Sequence, residues 1–447
     1  MVTAISKLSN YIHKPINIAP LVIFRIAFGA LLFLSTLRFI LKGWVYQLYV
    51  LPKFYFPYYG FEWVKPLSEL GMYVLFYCML MCAVLIILGL FYRASITLFF
   101  LIFTYVELID KTNYLNHYYF VSIVCFILIF LPVNKSFSLD NKLFKKPDVA
   151  FIPKFYILII QLQLFLVYLF AGIAKLNYDW LIQAQPLKMW LPAFSHFYII
   201  GKYLEQDWVA YLFCWFGCIY DLSIGFFLFN KRTVNFAYVL VLIFHLATAL
   251  FFNIGMFPYV MIVITTIFFK EQTHLKMLSY LKSVFNYKVR LGFAKQIILK
   301  PYLVGIFTLY FFIQLITPFR YLLYNGKLFW TEQGYRFSWR VMLMEKAGTA
   351  FFYVIDSETN KEIEVDNKKY LTYMQEKQMA TQPDMMVDYA KLLKNEFEKM
   401  GFKNPKVRAQ SFVTLNGNGS KEFINDTIDL SSESNSFLKN KHWIKNF

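Results

Sequence analysis

The fold class this 447-residue sequence predicts is a polytopic α-helical membrane bundle of about 8–9 spans, followed by a small α+β, sheet-containing domain. Three observations carry that expectation. The chain is 58% hydrophobic and only 16% charged, well under the rough quarter usual in soluble domains. Long apolar runs recur from residue 17 to residue 317. Beyond about residue 318 the pattern changes to short alternating strands and one amphipathic helix. The expected domains are therefore 1–317 and 318–447.

Apolar runs lie near 17–41, 70–91, 94–109, 118–134, 155–174, 208–229, 234–252, 255–269 and 301–317. Several fall short of the ~20 residues a perpendicular span needs, which leaves the count at eight or nine. No small-residue cleavage site follows the first run, so it reads as an anchor and not as a signal peptide. With nine spans and the N-terminus inside, the inner loops hold 17 Lys/Arg, Lys135, Lys142, Arg290 and Lys295 among them. The outer loops hold 6: Lys42, Lys53, Lys65, Lys111, Lys188 and Lys202. The positive-inside rule then puts the C-terminal domain on the extracytoplasmic side.

The net charge of +18 is distributed unevenly. Residues 318–447 carry 19 basic and 16 acidic side chains, and the first 317 carry the remaining 26 and 11. Basic membrane loops answer to topology and to anionic headgroups, so no nucleic-acid partner is expected. The five cysteines all sit in apolar runs, with Cys78/Cys82 and Cys214/Cys218 spaced i, i+4. That spacing suits helix faces and not a turn-borne zinc site, so neither a disulfide framework nor a metal is expected.

In the C-terminal part, "GTAFFYVIDSETNKEIEVD" reads as a hairpin, and "MMVDYAKLLKNEFEKMGF" as a helix stopping at Gly401. "KVRAQSFVTLNGNGSKEFIND" reads as strand, Gly/Asn turn and strand, giving an α+β or β-sandwich-like module. The Ser/Asn/Lys-rich tail beyond about 431 reads as frayed.

Three ionisable groups fall on the outer side of this topology. Lys175 closes the run 155–174, His117 opens the run 118–134, and His245 lies in the outer half of 234–252. Ionisable groups in a bundle are costly and mark candidate sites. Each has a plainer reading too, since a helix-end lysine snorkels to the headgroups and a lone membrane histidine is often structural. A basic group in a dry pocket suits general-base work. No Walker loop, GxGxxG, HExxH or GxSxG is present.

Four stretches, "DKTNYLNHYYF" (110–120), "YLFAGIAKLNYDWL" (168–181), "FH…FNIGMFPYVM" (244–261) and "FWTEQGYRFSW" (329–339), resemble in order and spacing the vitamin K-dependent gamma-glutamyl carboxylase family. That family includes the bacterial proteins of the horizontally transferred transmembrane-domain (HTTM) group, and the likeness covers roughly 15–430. The resemblance implies a lyase-type enzyme that uses reduced vitamin K (a hydroquinone, or menaquinol), O₂ and CO₂ to turn peptide glutamate into γ-carboxyglutamate, with epoxidation of the quinol. It implies that Lys175, the lysine of the G-x-x-K-L motif, is the base that starts the reaction. It implies that His117, beside Asn116, assists carboxylation, and that His245 belongs to the catalytic group. The W-T…G-Y…S-W segment would meet the glutamyl substrate through Trp330, Tyr335, Ser338 and Trp339.

An outer-face site among apolar helices is compatible with that chemistry: a prenylated quinone enters from the lipid bilayer, and a Glu-containing peptide or protein from the aqueous side. Two departures stand out. Ala174 occupies the place of a second lysine in animal members, and the long lumenal extension of those members has no counterpart here. Two alternatives remain open: a quinol epoxidase or oxidase without peptide carboxylation, and a non-enzymatic scaffold or transporter. A transporter of inverted repeats has broken helices in matching halves, and no such repeat is visible.

Overall fold

The computed structural model describes residues 2–252, 254–288, 297–437 and 439–447. Asn253 of the FNIGMFPYVM stretch, and Arg290 and Lys295 of the basic inner loop, lie outside the described residues. Each expected apolar run forms a helix: α1 (Ala19–Leu41), α2 (Glu69–Leu88), α3 (Tyr92–Ile109), α4 (Asn116–Phe130), α5 (Phe155–Lys175), α6 (Asp207–Phe229), α7 (Val234–Phe251), α8 (Phe257–Thr265) and α9 (Pro301–Ile316). Among the described residues seven are long and apolar enough to cross a membrane, α9 when taken with its 3-10 continuation to Leu323, and α4 and α8 are shorter apolar helices. The chain is an integral membrane protein with a sheet-bearing C-terminal domain.

Local chemistry sets the helix ends. Ser68 caps α2 by accepting from Gly71 N at 3.3 Å, and Gly89 closes it at φ +64°. Gly89 is required for a second reason: a Cβ there would lie 2.0 Å from Arg25 Nη1. Arg25, fully buried in α1, crosses to that corner and donates to Phe137 O at 2.6 Å. Asp140 accepts from the backbone of Phe91 at 2.7 Å, so the ends of α1 to α4 away from the C-terminal domain are tied together. A short strand pair, Pro15–Asn17 with Phe151–Pro153, joins the N-terminal segment to the start of α5.

The opposite end carries the C-terminal domain. Its sheet is antiparallel in the order β2-β1-β3-β4, where β1 is Lys346–Ile355, β2 Glu362–Glu364, β3 Lys406–Leu415 and β4 Lys421–Glu422. Strands β1 and β3 pair along their whole length, from Lys346↔Leu415 to Ile355↔Lys406. Ala350, Phe352, Val354, Val407, Ala409 and Val413 alternate onto the buried face. Helices α10 (Tyr373–Met379) and α11 (Pro383–Lys399) supply that core's other residues, Met379, Met386, Tyr389, Ala390 and Leu393 among them. The β-sandwich-like alternative is therefore corrected: among the described residues helices, and no second sheet, complete this core. Helix α11 does stop at Gly401, whose φ of +95° favours glycine.

The tail is also corrected. Trp443 is 2% exposed, its carbonyl accepts from Asn425 N at 2.8 Å, and Ile444 bridges to Ile424. A buried indole and strand-like pairing hold a segment whose composition suggested fraying. Lys111, just past α3, reaches Asp384 and Asp388 of α11 at 2.9 and 2.5 Å. Gln375 Nε2 donates to Asp110 at 2.9 Å, and Asn416 Nδ2 to Asp179 at 2.8 Å.

Candidate active site

Helix α5 ends against the middle of α6 and not at the level of its Asp207 end. A Cβ on Gly172 would lie 2.8 Å from Leu222 N, so the two backbones touch there. Asp221 stands about 21 Å along α6 from Asp207 at ~1.5 Å per residue. The first turns of α6 continue past Lys175 and are covered by residues 176–206, folded into short helical pieces. Ala184, Leu187, Leu191 and Leu204 of that segment form a small core with Ala174, Cys214 and Phe251. Trp180 Nε1 donates to Cys214 O at 2.8 Å. The polar elbow has a structural role, since Asn177 donates to Ala174 O at 2.9 Å and accepts from Trp180 N at 3.0 Å.

Under this lid Lys175 is 6% exposed and Asp221 5%. Lys175 Nζ donates to Asp221 Oδ2 at 2.6 Å and to Ala171 O at 3.4 Å, and lies 5.4 Å from the Trp180 ring. The snorkelling alternative is thus excluded, because the ammonium turns inward to a carboxylate. Asp221 was missed in the sequence. Its signal was there, as the one charged residue in the apolar run 208–229.

Two turns before Lys175, on the same helix face, the Tyr168 hydroxyl lies 3.1 Å from His245 Nε2 and 3.5 Å from Thr265 Oγ1. His245 is 3% exposed, and its Nδ1 has no hydrogen-bond partner among the described residues. The Phe257 ring separates the two histidines, 6.1 Å from His245 and 5.8 Å from His117.

His117 faces a cavity of about 920 Å³ between the bundle and the C-terminal domain. Phe39, Trp44, Phe252 and Phe257 give it flat apolar walls. Arg38, Lys111, Arg336, Arg340, Lys346 and Lys377 face it, against Glu332 and Glu345. Lys111 and Arg336 are taken up by Asp384, at 2.9 and 2.8 Å, and Lys346 by Glu332 at 2.9 Å. Arg38, Arg340 and Lys377 have no carboxylate partner among the described residues, which leaves the chamber receptive to anions. Burial pushes the Asp384 carboxyl up, but Arg336 and Lys111 beside it hold it well below the usual carboxylate range. Burial pushes the Lys346 ammonium down, against the pull of Glu332.

The expected site residues divide between these surroundings. His117 has an open imidazole with no hydrogen-bond partner among the described residues. Asn116 is occupied: Nδ2 donates to Arg340 O at 2.6 Å and Oδ1 accepts from Tyr114 OH at 2.9 Å. Lys175 and His245 do not line the cavity. Of the expected substrate contacts, only Tyr335 lines it. Trp330 is 1% exposed in the C-terminal core, against Phe423 and Phe447 at 4.8 and 5.0 Å, and donates to Lys445 O at 2.7 Å. Trp339, also 1% exposed, stacks on Tyr119 at 5.0 Å. Ser338 Oγ donates to the carbonyls of Gly334 and Tyr335.

Trp330, Ser338 and Trp339, expected to meet substrate, are buried and in contact with their own segment and its neighbours. That segment is bent sharply. Phe337 and Trp339 lie at φ +62° and +58°, a conformation costing about 1–3 kcal/mol each. Tyr114 OH accepts from Phe337 N at 2.6 Å and helps to hold it. Gly334, at φ +80°, passes so close to Tyr321 that a Cβ would lie 2.8 Å from its Cα.

Among the described residues no group of three His, Cys, Asp or Glu is placed to hold a metal ion. A family model described as HTTM domain matches residues 13–272, and one described as vitamin K-dependent gamma-carboxylase, lumenal domain, matches residues 299–447. No solved structure matches the chain. The two matched stretches contain the bundle, the lidded ion pair and the cavity, and the chain belongs to the vitamin K-dependent gamma-glutamyl carboxylase family.

Proposed function

We propose that the protein carboxylates peptide glutamate at the γ-carbon, coupled to epoxidation of reduced vitamin K, on the extracytoplasmic side of the membrane. We also propose the division into a membrane domain, 1–317, and an extracytoplasmic domain, 318–447. The excess of basic loop side chains at the far end of the bundle supports that sidedness. The observation that carries the functional reading is the pairing of a buried Lys175–Asp221 couple with an anion-receptive chamber holding His117, both at the end of the bundle that bears the C-terminal domain.

The residues present fit a reduced quinone. Phe39, Trp44, Phe252 and Phe257 offer flat faces in the chamber, and the orphaned Nδ1 of His245 lies buried behind Phe257. In this reading Lys175, which does not line the chamber, meets the headgroup once it moves from the chamber into the lidded compartment. When bound, the quinol supplies, through its oxidation by O₂, the basicity needed to take a γ-proton from glutamate. Lys175 has the role of starting base in this reading. Written as an ion pair it carries a proton, so it has to pass that proton on first, and Asp221 Oδ2 at 2.6 Å is the acceptor in contact. The lid formed by residues 176–206 keeps bulk water from that exchange. In the chamber His117 supports carboxylation, and Arg38, Arg340 and Lys377 attract the glutamyl carboxylate and the carboxyl it gains. Tyr335 completes the wall, while Asn116 holds the Arg340 backbone in place.

The test uses the purified protein in lipid with vitamin K hydroquinone, O₂, ¹⁴C-bicarbonate and a Glu-containing peptide. The reading expects quinone epoxide together with radiolabel fixed in the peptide. Epoxide without label assigns the protein to quinol oxidation alone. Neither product, from folded protein, ends both enzymatic readings.

A further inference from the structure

Strand β1 has one edge only partly used. Along β3 it pairs over all ten residues, but along β2 only Tyr353, Val354 and Ile355 pair. The even-numbered residues point their backbone groups at the β2 side. Phe352 O accepts from Val365 N at 2.8 Å, and Ala350 O from Asn367 Nδ2 at 3.0 Å. By the two-residue period, Gly348 and Lys346 face the same edge, and no strand pairs with them there among the described residues.

This stretch borders a groove of about 660 Å³ whose other wall is α10, through Tyr373, Glu376 and Lys377. Lys377 also lines the 920 Å³ chamber, and Lys346, where β1 begins, lines it too. The groove therefore runs into the chamber. Its charge changes along the way: Glu364, Asp366 and Glu376 border the groove, and the chamber is basic. A solvent-facing unpaired edge is usually blunted by proline, charge or a bulge. Between Ala347 and Ala350 this one carries only Ala, Gly and Thr. From Lys346 to Ala350 it offers about 13 Å of extended backbone at ~3.3 Å per residue.

We propose that the open edge of β1 between Lys346 and Ala350 receives an extended segment of the peptide substrate as an added strand and directs its acidic side chain into the chamber. Backbone hydrogen bonding gives the affinity, and the charge gradient gives the polarity. The substrate class is an extended peptide whose glutamate is flanked, a few residues away, by a basic side chain that meets Glu364, Asp366 and Glu376. The assignment of the guest rests on the carboxylase reading, whereas the docking edge is testable without turnover.

The experiment follows amide hydrogen exchange in the full-length protein, reconstituted in lipid nanodiscs, with the peptide acetyl-Lys-Thr-Val-Glu-Val-Thr-Lys-amide. Slowed exchange within 346–352 is the expected result. N-methylation at alternate peptide residues is expected to raise Kd about tenfold for one parity and to leave the other unchanged, since only every second N–H meets β1. Glu364→Lys is expected to weaken this peptide and to spare a version with threonine in place of lysine. Absence of protection at 346–352, or equal effects from both parities, overturns the docking edge even if label is fixed. Protection with the expected parity supports the edge even if no label is fixed, in which case the carboxylase reading alone fails.

Discussion

The two halves of the candidate site are built on opposite physical terms. Between α5 and α6, under the lid, everything is closed: Lys175 and Asp221 satisfy one another in a space sealed by Trp180 and the 176–206 lid. In front of Phe257 the chamber is open, and the His117 ring and three basic side chains have no carboxylate partner among the described residues. A closed ion pair is expensive to disturb and holds a proton in a fixed place. An open basic chamber is cheap to alter and takes guests of varied sequence. In the proposed reading this difference is a division of labour, with proton chemistry kept dry and substrate capture kept wet.

The division can be broken most severely at the lysine. Lys175→Met is expected to lower both epoxide and fixed label about a thousandfold, measured in one incubation. Next in size is stability. Asp221→Ala strands a buried charge and is expected to cost about 3–5 kcal/mol in a denaturation series in detergent. Replacing the pair by Lys175→Met with Asp221→Leu is expected to recover that loss to within about 1 kcal/mol without recovering activity. On the open side, His117→Ala is expected to lower fixed label about a hundredfold and to leave epoxide within about threefold.

The smallest effect concerns the junction beneath the chamber. Burial pushes the Lys441 ammonium down to about 8, with Asp384 and Asp388 opposing and Lys111 and Arg336 reinforcing the shift. The unfolded chain binds that proton up to a pH of about 10.4, so the folded state loses it first. This group's contribution therefore rises as pH climbs from about 8 to about 10. Thermal midpoints of wild type and Lys441→Met are expected to diverge over that interval, with the upward slope present only in the wild type.

Much of this was legible in the sequence. The nine apolar helices, the stop at Gly401 and both local hairpins follow from period and punctuation, which are properties of neighbouring residues. The ten-residue pairing of β1 with β3 joins segments some sixty residues apart and leaves no local trace. His117, Lys175 and His245 stood out because ionisable groups in apolar runs are rare. Their separation into two compartments did not, because it depends on where α5 ends along α6, which only packing at Gly172 decides. The burial of the tryptophans was hidden for a related reason. A tryptophan at a domain junction serves equally as a ligand wall or as a wedge, and only the 1% exposure of Trp330 and Trp339 separates the two uses.

The most direct test of the closed compartment is amine rescue of Lys175→Ala, with epoxide and fixed label read from the same sample. The account predicts that both products vanish and that a small exogenous amine restores both together, because it fills the space beside Asp221. Full activity of Lys175→Ala without amine would contradict it.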